Sequence, residues 1–248
     1  MNNNSCRGFV TRLVAPVLCL AAWPAAAVTL TVLGTANPNL AGRADGYACC
    51  SGDAAPTQSP AQVMGLAFAA GDALVFSATG GVAVGPSVPA TNTPDGVSAF
   101  SMTNYGDGIS APTSVRVSAL MGVFLGPDDP TGDSTPAQLS FAGGLDFPSL
   151  APGIGQIFFI GDGLTSSSFD PNAPAGAAQL FSVPQGATRL FLGTSDGFGW
   201  FNNGGTFTVD VRLSDGPEPV PEPGTLALLV LGLAGVGLRA IRRRCGTT

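Results

Sequence analysis

Thr206-Phe-Thr-Val-Asp-Val-Arg-Leu213 alternates polar and apolar residues without a break. A period of two puts Phe207, Val209, Val211 and Leu213 on one face, as in a half-exposed antiparallel strand. Working upstream, Arg189-Leu-Phe-Leu-Gly-Thr194 and Ala178 to Val183 are apolar runs closed by turn residues. Gln156 to Ile160, Ser118 to Leu125, Ala73 to Thr79, Gln62 to Phe68 and Val28 to Leu33 read the same way. Gly and Pro clusters separate nearly all of them. No segment between Val28 and Leu213 sustains a helical period. About eight strands joined by turns predict an all-β domain, an antiparallel β-sandwich of jelly-roll type. The long connections Gly34 to Pro60 and Gly85 to Pro112 are the candidates for building a site.

Residues 28–213 are long enough for one domain with a real core. They hold four arginines, thirteen aspartates and no glutamate, a formal charge of 4 − 13 = −9. The whole chain has no lysine and no histidine. Nucleic acid is excluded as a partner, because phosphate binding needs a basic surface. The missing histidine removes the Ser-His-Asp triad, histidine-bound zinc and histidine acid–base catalysis. The missing lysine removes Schiff-base chemistry. An aspartate-based glycosidase remains as an alternative, yet Asp128 and Asp129 sit in Gly-Pro-Asp-Asp-Pro, which reads as a solvated turn. An acidic surface with many Asp-Gly loops suits calcium, which takes hard oxygen ligands. Cys49 and Cys50 are adjacent in a loop-like stretch. Three readings stand for them: a vicinal disulfide, an intermolecular bridge, or two incidental small residues.

The two ends carry address signals. Arg7 and Arg12, the apolar Leu13 to Trp23 and Ala25-Ala26-Ala27 form the three parts of a signal peptide over residues 1–27. After a short linker at 214–220, residues 221–248 open with Pro221-Glu222-Pro223. An uncharged apolar stretch at 225–238 follows, and Arg239, Arg242, Arg243 and Arg244 close the run. Prolines at 219, 221 and 223 stop any helix or sheet before it. The apolar run is shorter than the roughly 20 residues of a usual span, and reads as a short transmembrane helix with snorkelling arginines on the cytoplasmic side. This tripartite ending resembles the PEP-CTERM sorting signal of exported bacterial proteins. The resemblance implies an exosortase as processing partner, cleavage near Pro-Glu-Pro, and a place in the cell envelope or outside the cell after transient anchoring in the inner membrane.

One constellation stands apart. Gly193 to Val209 places Asp196, Asn202 and Asn203 in a glycine-rich loop between two strands, with Phe198, Trp200 and Phe201 beside them. A carboxylate, amide oxygens and bare carbonyls are calcium ligands by atom type. The aromatic rings offer faces for a sugar. Here the chain resembles the calcium-dependent galactophilic lectins of bacteria, over roughly Gly71 to Leu213. The resemblance implies Asp196, Asn202 and Asn203 as side-chain ligands of calcium, and Val84 and Gly199 or Trp200 as carbonyl donors. It also implies Thr93, Asp95, Asp196, Trp200 and Asn202 on the sugar side. A galactose-like sugar or an extracellular polysaccharide would be the partner. The loop from Asp196 to Asn202 is one residue shorter than in those lectins. Thr93 and Gly96 replace their sugar-contacting side chains. The rival readings are a hairpin that only turns the chain, and a purely structural envelope or biofilm-matrix component. Trp200 is expected partly exposed if the loop is a site, and packed on the sandwich edge if it only turns.

Overall fold

The computed structural model describes residues 27–85, 89–166 and 176–214. The signal peptide, the linker and the sorting signal therefore lie outside the described residues, apart from Ala27 and Ser214. Among the described residues thirteen strands follow one another: β1 (Ala27–Leu33), β2 (Ala48–Cys49), β3 (Asp53–Ala54), β4 (Ala61–Gln62), β5 (Ala73–Ala83), β6 (Ala99–Phe100), β7 (Val115–Arg116), β8 (Leu120–Leu125), β9 (Ser149–Leu150), β10 (Ile157–Phe159), β11 (Leu180–Ser182), β12 (Arg189–Thr194) and β13 (Gly204–Leu213). The only described helices are 3-10 turns at Pro38–Leu40 and Trp200–Asn202. The domain is all-β.

One sheet runs β1-β13-β5-β11-β9 and a second runs β10-β8-β12-β4. Two short hairpin-like pairs, β2-β3 and β6-β7, stand beside them. Neither large sheet closes into a barrel. Pairing is antiparallel throughout the large sheets except between β11 and β9, which run parallel, a departure from the all-antiparallel expectation. The alternation in β13 does what it predicts. Phe207, Val209 and Val211 are buried, while Thr208, Asp210 and Arg212 face solvent.

Ring contacts join the two sheets. Phe76 and Phe181 of the first lie 5.1 Å apart, Phe181 meets Phe158 of the second at 5.6 Å, and Phe158 stacks on Phe124 at 5.3 Å. Every residue of β8 and β10 is buried. A strand covered on both faces reads as a continuous apolar run, which is why these two lack alternation. The long connections form the outer cover. Thr194 donates its N–H to the Ala36 carbonyl at 2.9 Å, and Ile157 donates to Ser110 at 2.9 Å. A Cβ on Gly193 would meet the Ala36 carbonyl oxygen at 2.6 Å, so only glycine lets this segment approach β12 so closely.

The expected strand over Gln62 to Phe68 shrinks to β4. Val63 still donates to the Leu190 carbonyl, but Gly65 takes φ +83 and Met64 is 66% exposed, so the apolar run leaves the sheet. β2, β3, β6, β7 and β9 were not anticipated.

An arginine pins the cover down. The Arg43 side chain is buried and pairs with the Asp107 carboxylate at 3.3 Å. It also donates to Thr131 Oγ1 at 3.0 Å and lies 4.5 Å over the Tyr47 ring, whose hydroxyl donates to Asp107 at 2.7 Å. Asp107 accepts a further N–H from Gly132 at 2.7 Å. Three connections thus meet on one guanidinium. Arg43→Ala removes that hub and leaves Asp107 and Thr131 short of donors. It is expected to cost about 2–4 kcal/mol in denaturant unfolding.

Candidate functional site

The loop 195–203 joins β12 of one large sheet to β13 of the other. Asp196 turns back on its own chain: Oδ1 accepts N–H from Gly197 at 2.6 Å and from Phe198 at 3.3 Å. Its Oδ2 accepts from the Asn203 amide nitrogen at 2.9 Å. Asn203 is nearly buried and ties three strand ends together. Its Nδ2 also donates to the Gly34 carbonyl beyond β1 at 3.2 Å, and its Oδ1 accepts from the Gly85 N–H beyond β5 at 3.1 Å. Its backbone N–H donates to the Trp200 carbonyl at 3.0 Å, and that of Asn202 to the Gly199 carbonyl at 3.4 Å.

The expected calcium set is therefore brought into one turn, but its oxygens do not converge on one point. Asn203 presents nitrogen, not oxygen, to Asp196. Its own oxygen and the Trp200 carbonyl are already taken by N–H donors. Among the described residues no three His, Cys, Asp or Glu side chains are grouped to hold a metal. As hydrogen-bonded here, these residues do not fit a calcium ion. Val84 is half-buried at the end of β5, next to Gly85, which bonds Asn203.

Trp200 is fully buried, and its indole N–H donates to the Thr194 carbonyl at 2.7 Å. No face of it is offered to a sugar. That corrects the partly exposed position expected of a site residue, and matches the packed alternative. The exposed rings are its neighbours, Phe198 at 67% and Phe201 at 53%. Tyr105 comes from the opposite connection, where Thr103 Oγ1 donates to the Gly197 carbonyl at 3.0 Å. Burial raises the Tyr105 phenol above its ordinary pKa; a bond with Thr103 opposes this, and the fields of Asp53 and Asp196 add to it.

The residue that organises this end is Asp53, which sequence reasoning missed. It is fully buried. Its Oδ2 accepts N–H from Trp200 at 3.0 Å and from the Asn37 amide at 3.0 Å, and its Oδ1 accepts from Phe201 at 2.9 Å. The Trp200 and Phe201 N–H groups are the orphan donors at the start of the 3-10 turn, so Asp53 acts as a cap delivered from a distant hairpin. Burial raises its pKa, and the three hydrogen bonds oppose that rise. Just before it, Cys49 and Cys50 form a vicinal disulfide, settling the three readings left open by the sequence.

The proposed sugar-side residues do not gather. Thr93 is exposed, but Asp95 is buried and its Oδ1 accepts from the Asp162 N–H at 3.0 Å, turned toward Gly161–Asp162. Asp162 caps its own turn through Leu164 N–H at 2.9 Å, as a strand-ending turn should. Asp129 accepts from Ala44 at 2.8 Å and Thr131 at 2.9 Å, so Asp128-Asp129 is an engaged turn.

Burial pushes the Asp95 carboxyl up to about 6 from 3.8, against the Asp162 hydrogen bond, with the Asp162 charge adding to the rise. A carboxyl raised on folding holds its proton more tightly in the folded state. Its contribution is full below about 4 and is lost as pH rises through about 6. Asp95→Asn removes this ionisation. The stability difference between variant and wild type is expected to grow in the variant's favour from pH 4 to pH 7, measured by urea unfolding.

Residues 219–244 match the PEP-CTERM protein-sorting motif. The chain carries an exosortase sorting signal. No curated protein and no solved structure gives a significant match, so the comparisons lend the lectin resemblance no support. The motif supports export to the cell envelope or extracellular space and processing by an exosortase. Among the described residues no helix is long and apolar enough to cross a membrane, and the stretch 225–238 lies outside them.

Proposed function

We propose that this is an exported, non-enzymatic envelope or extracellular-matrix protein that binds uncharged polysaccharide through the loop end of a jelly-roll-type sandwich. One observation carries the reading: Phe198 and Phe201 are exposed beside Asp196 on a turn held rigidly from below by Asp53. Exposed aromatic side chains on a fixed turn suit the C–H faces of sugar rings, and a carboxylate suits their hydroxyls. The domain charge of 4 − 13 = −9 disfavours polyanions and leaves neutral polymers. Topology supports outward presentation. Ala27 pairs with Arg212 and Leu33 with Thr206, so the chain leaves toward the sorting signal at the pole opposite the loop. A strand the length of β13 separates the two poles by about 30 Å.

The double substitution Phe198→Ala/Phe201→Ala should weaken affinity for a neutral galactan at least about tenfold, roughly 1.4 kcal/mol, in affinity electrophoresis. Both rings are exposed, so the fold should persist. Unchanged mobility shifts would remove the loop end from the function. A purely structural matrix role predicts no saturable binding in either protein. The calcium-dependent lectin is the second reading: Asp196, Asn202 and Asn203 share one turn, and it requires the Asn203 amide to turn its oxygen from the Gly85 N–H toward Asp196. It predicts calorimetric calcium binding that Asp196→Ala abolishes.

A further inference from the structure

The Cys49–Cys50 disulfide sits inside the hairpin that delivers Asp53. Cys49 of β2 pairs with Asp53 of β3, and the connecting residues Cys50, Ser51 and Gly52 all take positive φ, at 58, 63 and 110. Left-handed backbone is disfavoured for Cys50 and Ser51, which carry a Cβ. The ring joining the two cysteines closes over this turn. The turn fixes where Asp53 points, and Asp53 in turn fixes the N–H groups of Trp200 and Phe201. Asn37, which shares Asp53, also approaches the Cys49 sulfur at 3.8 Å.

We propose that oxidation of Cys49 and Cys50 is the step that locks the Trp200–Asn202 turn, so that the aromatic loop end assembles only after export, and that an external dithiol unlocks it. Before export the chain meets a reducing compartment, and afterwards an oxidising one. In the unlocking direction one thiolate of the dithiol attacks Sγ of Cys49, which is half-buried, while Cys50 is 5% exposed. The S–S bond breaks and the Cys50 thiolate leaves. The second thiol then displaces Cys49, and the reagent departs as a cyclic disulfide. Two electrons pass to the protein, and each cysteine sulfur ends with one proton. Locking is the reverse exchange with a disulfide-bearing oxidant.

The lock bears on the surface proposed above for polysaccharide, yet its readout needs no ligand. Amide hydrogen exchange is measured on the full chain in mild detergent, oxidised and after dithiothreitol, with a 2 Da mass gain confirming reduction. Cys49→Ser/Cys50→Ser serves as a second unlocked form. The lock predicts that exchange at Trp200 and Phe201 accelerates at least about tenfold in both unlocked forms, while Phe207, Val209 and Val211 of β13 keep their protection. Unchanged protection at Trp200 and Phe201 would overturn it. Equal loss across β13 would also overturn it, since the disulfide would then hold the whole domain. Failure of polysaccharide binding with intact acceleration would count against the ligand alone.

Discussion

Replacing Asp53 with alanine is expected to destabilise the domain by about 3–5 kcal/mol. The carboxylate is fully buried and accepts three hydrogen bonds, from Trp200, Phe201 and the Asn37 amide. Alanine leaves the Trp200 and Phe201 N–H groups without that acceptor, and leaves the Asn37 amide with only the Cys49 sulfur at 3.8 Å. Each buried unsatisfied donor costs about 1–3 kcal/mol. Against a typical domain stability of 5–15 kcal/mol that is a large fraction. In a domain of this size it corresponds to a fall in melting temperature of about 10 °C. Asp53→Asn keeps an acceptor oxygen and removes the buried charge, so it should lose less than half as much. Equal losses in the two variants would mean that hydrogen-bond acceptance is not what Asp53 supplies.

Phe158→Ala is the second large effect, expected at about 3–5 kcal/mol. Phe158 is fully buried in β10, stacked on Phe124 at 5.3 Å and tilted against Phe181 of the other sheet at 5.6 Å. It also closes over Gly122, where a Cβ would come within 2.5 Å of its ring. The cavity left by alanine opens at the seam between the sheets, where rigid strands on both sides limit collapse. Phe158→Leu refills most of that volume and should recover more than half of the loss in the same urea titration. Similar values for the two would show that the ring is not wedged between the sheets.

The strands with a clear pattern were legible. β13 announces itself by alternation, and β8, β10 and β12 by apolar runs that end in turns. Gln62 to Phe68 misled because an apolar run does not report its register. Gly65 at φ +83 takes it off the sheet after two residues. The short strands β2, β3, β6, β7 and β9 have two residues each, too few for any period. At the site, the sequence placed Asp196, Asn202 and Asn203 in one loop and paired them with exposed aromatic rings. It put Trp200 among the sugar contacts because a glycine-rich loop reads as surface, although the indole is enclosed. Asp53 was out of reach for a different reason. It serves a turn 147 residues away, and nothing local to Cys-Cys-Ser-Gly-Asp signals that partner. The aspartate after a Gly-containing turn was the only clue.

Binding of the full-length protein to neutral galactan, measured side by side in excess chelator and in millimolar calcium, tests the central claim most directly. A loop end already locked by Asp53, Asn203 and the Asp196 turn predicts the same affinity in both buffers. Binding that disappears with the chelator and returns with calcium would contradict this account, and would mean that Asn203 turns its oxygen to an ion beside Asp196.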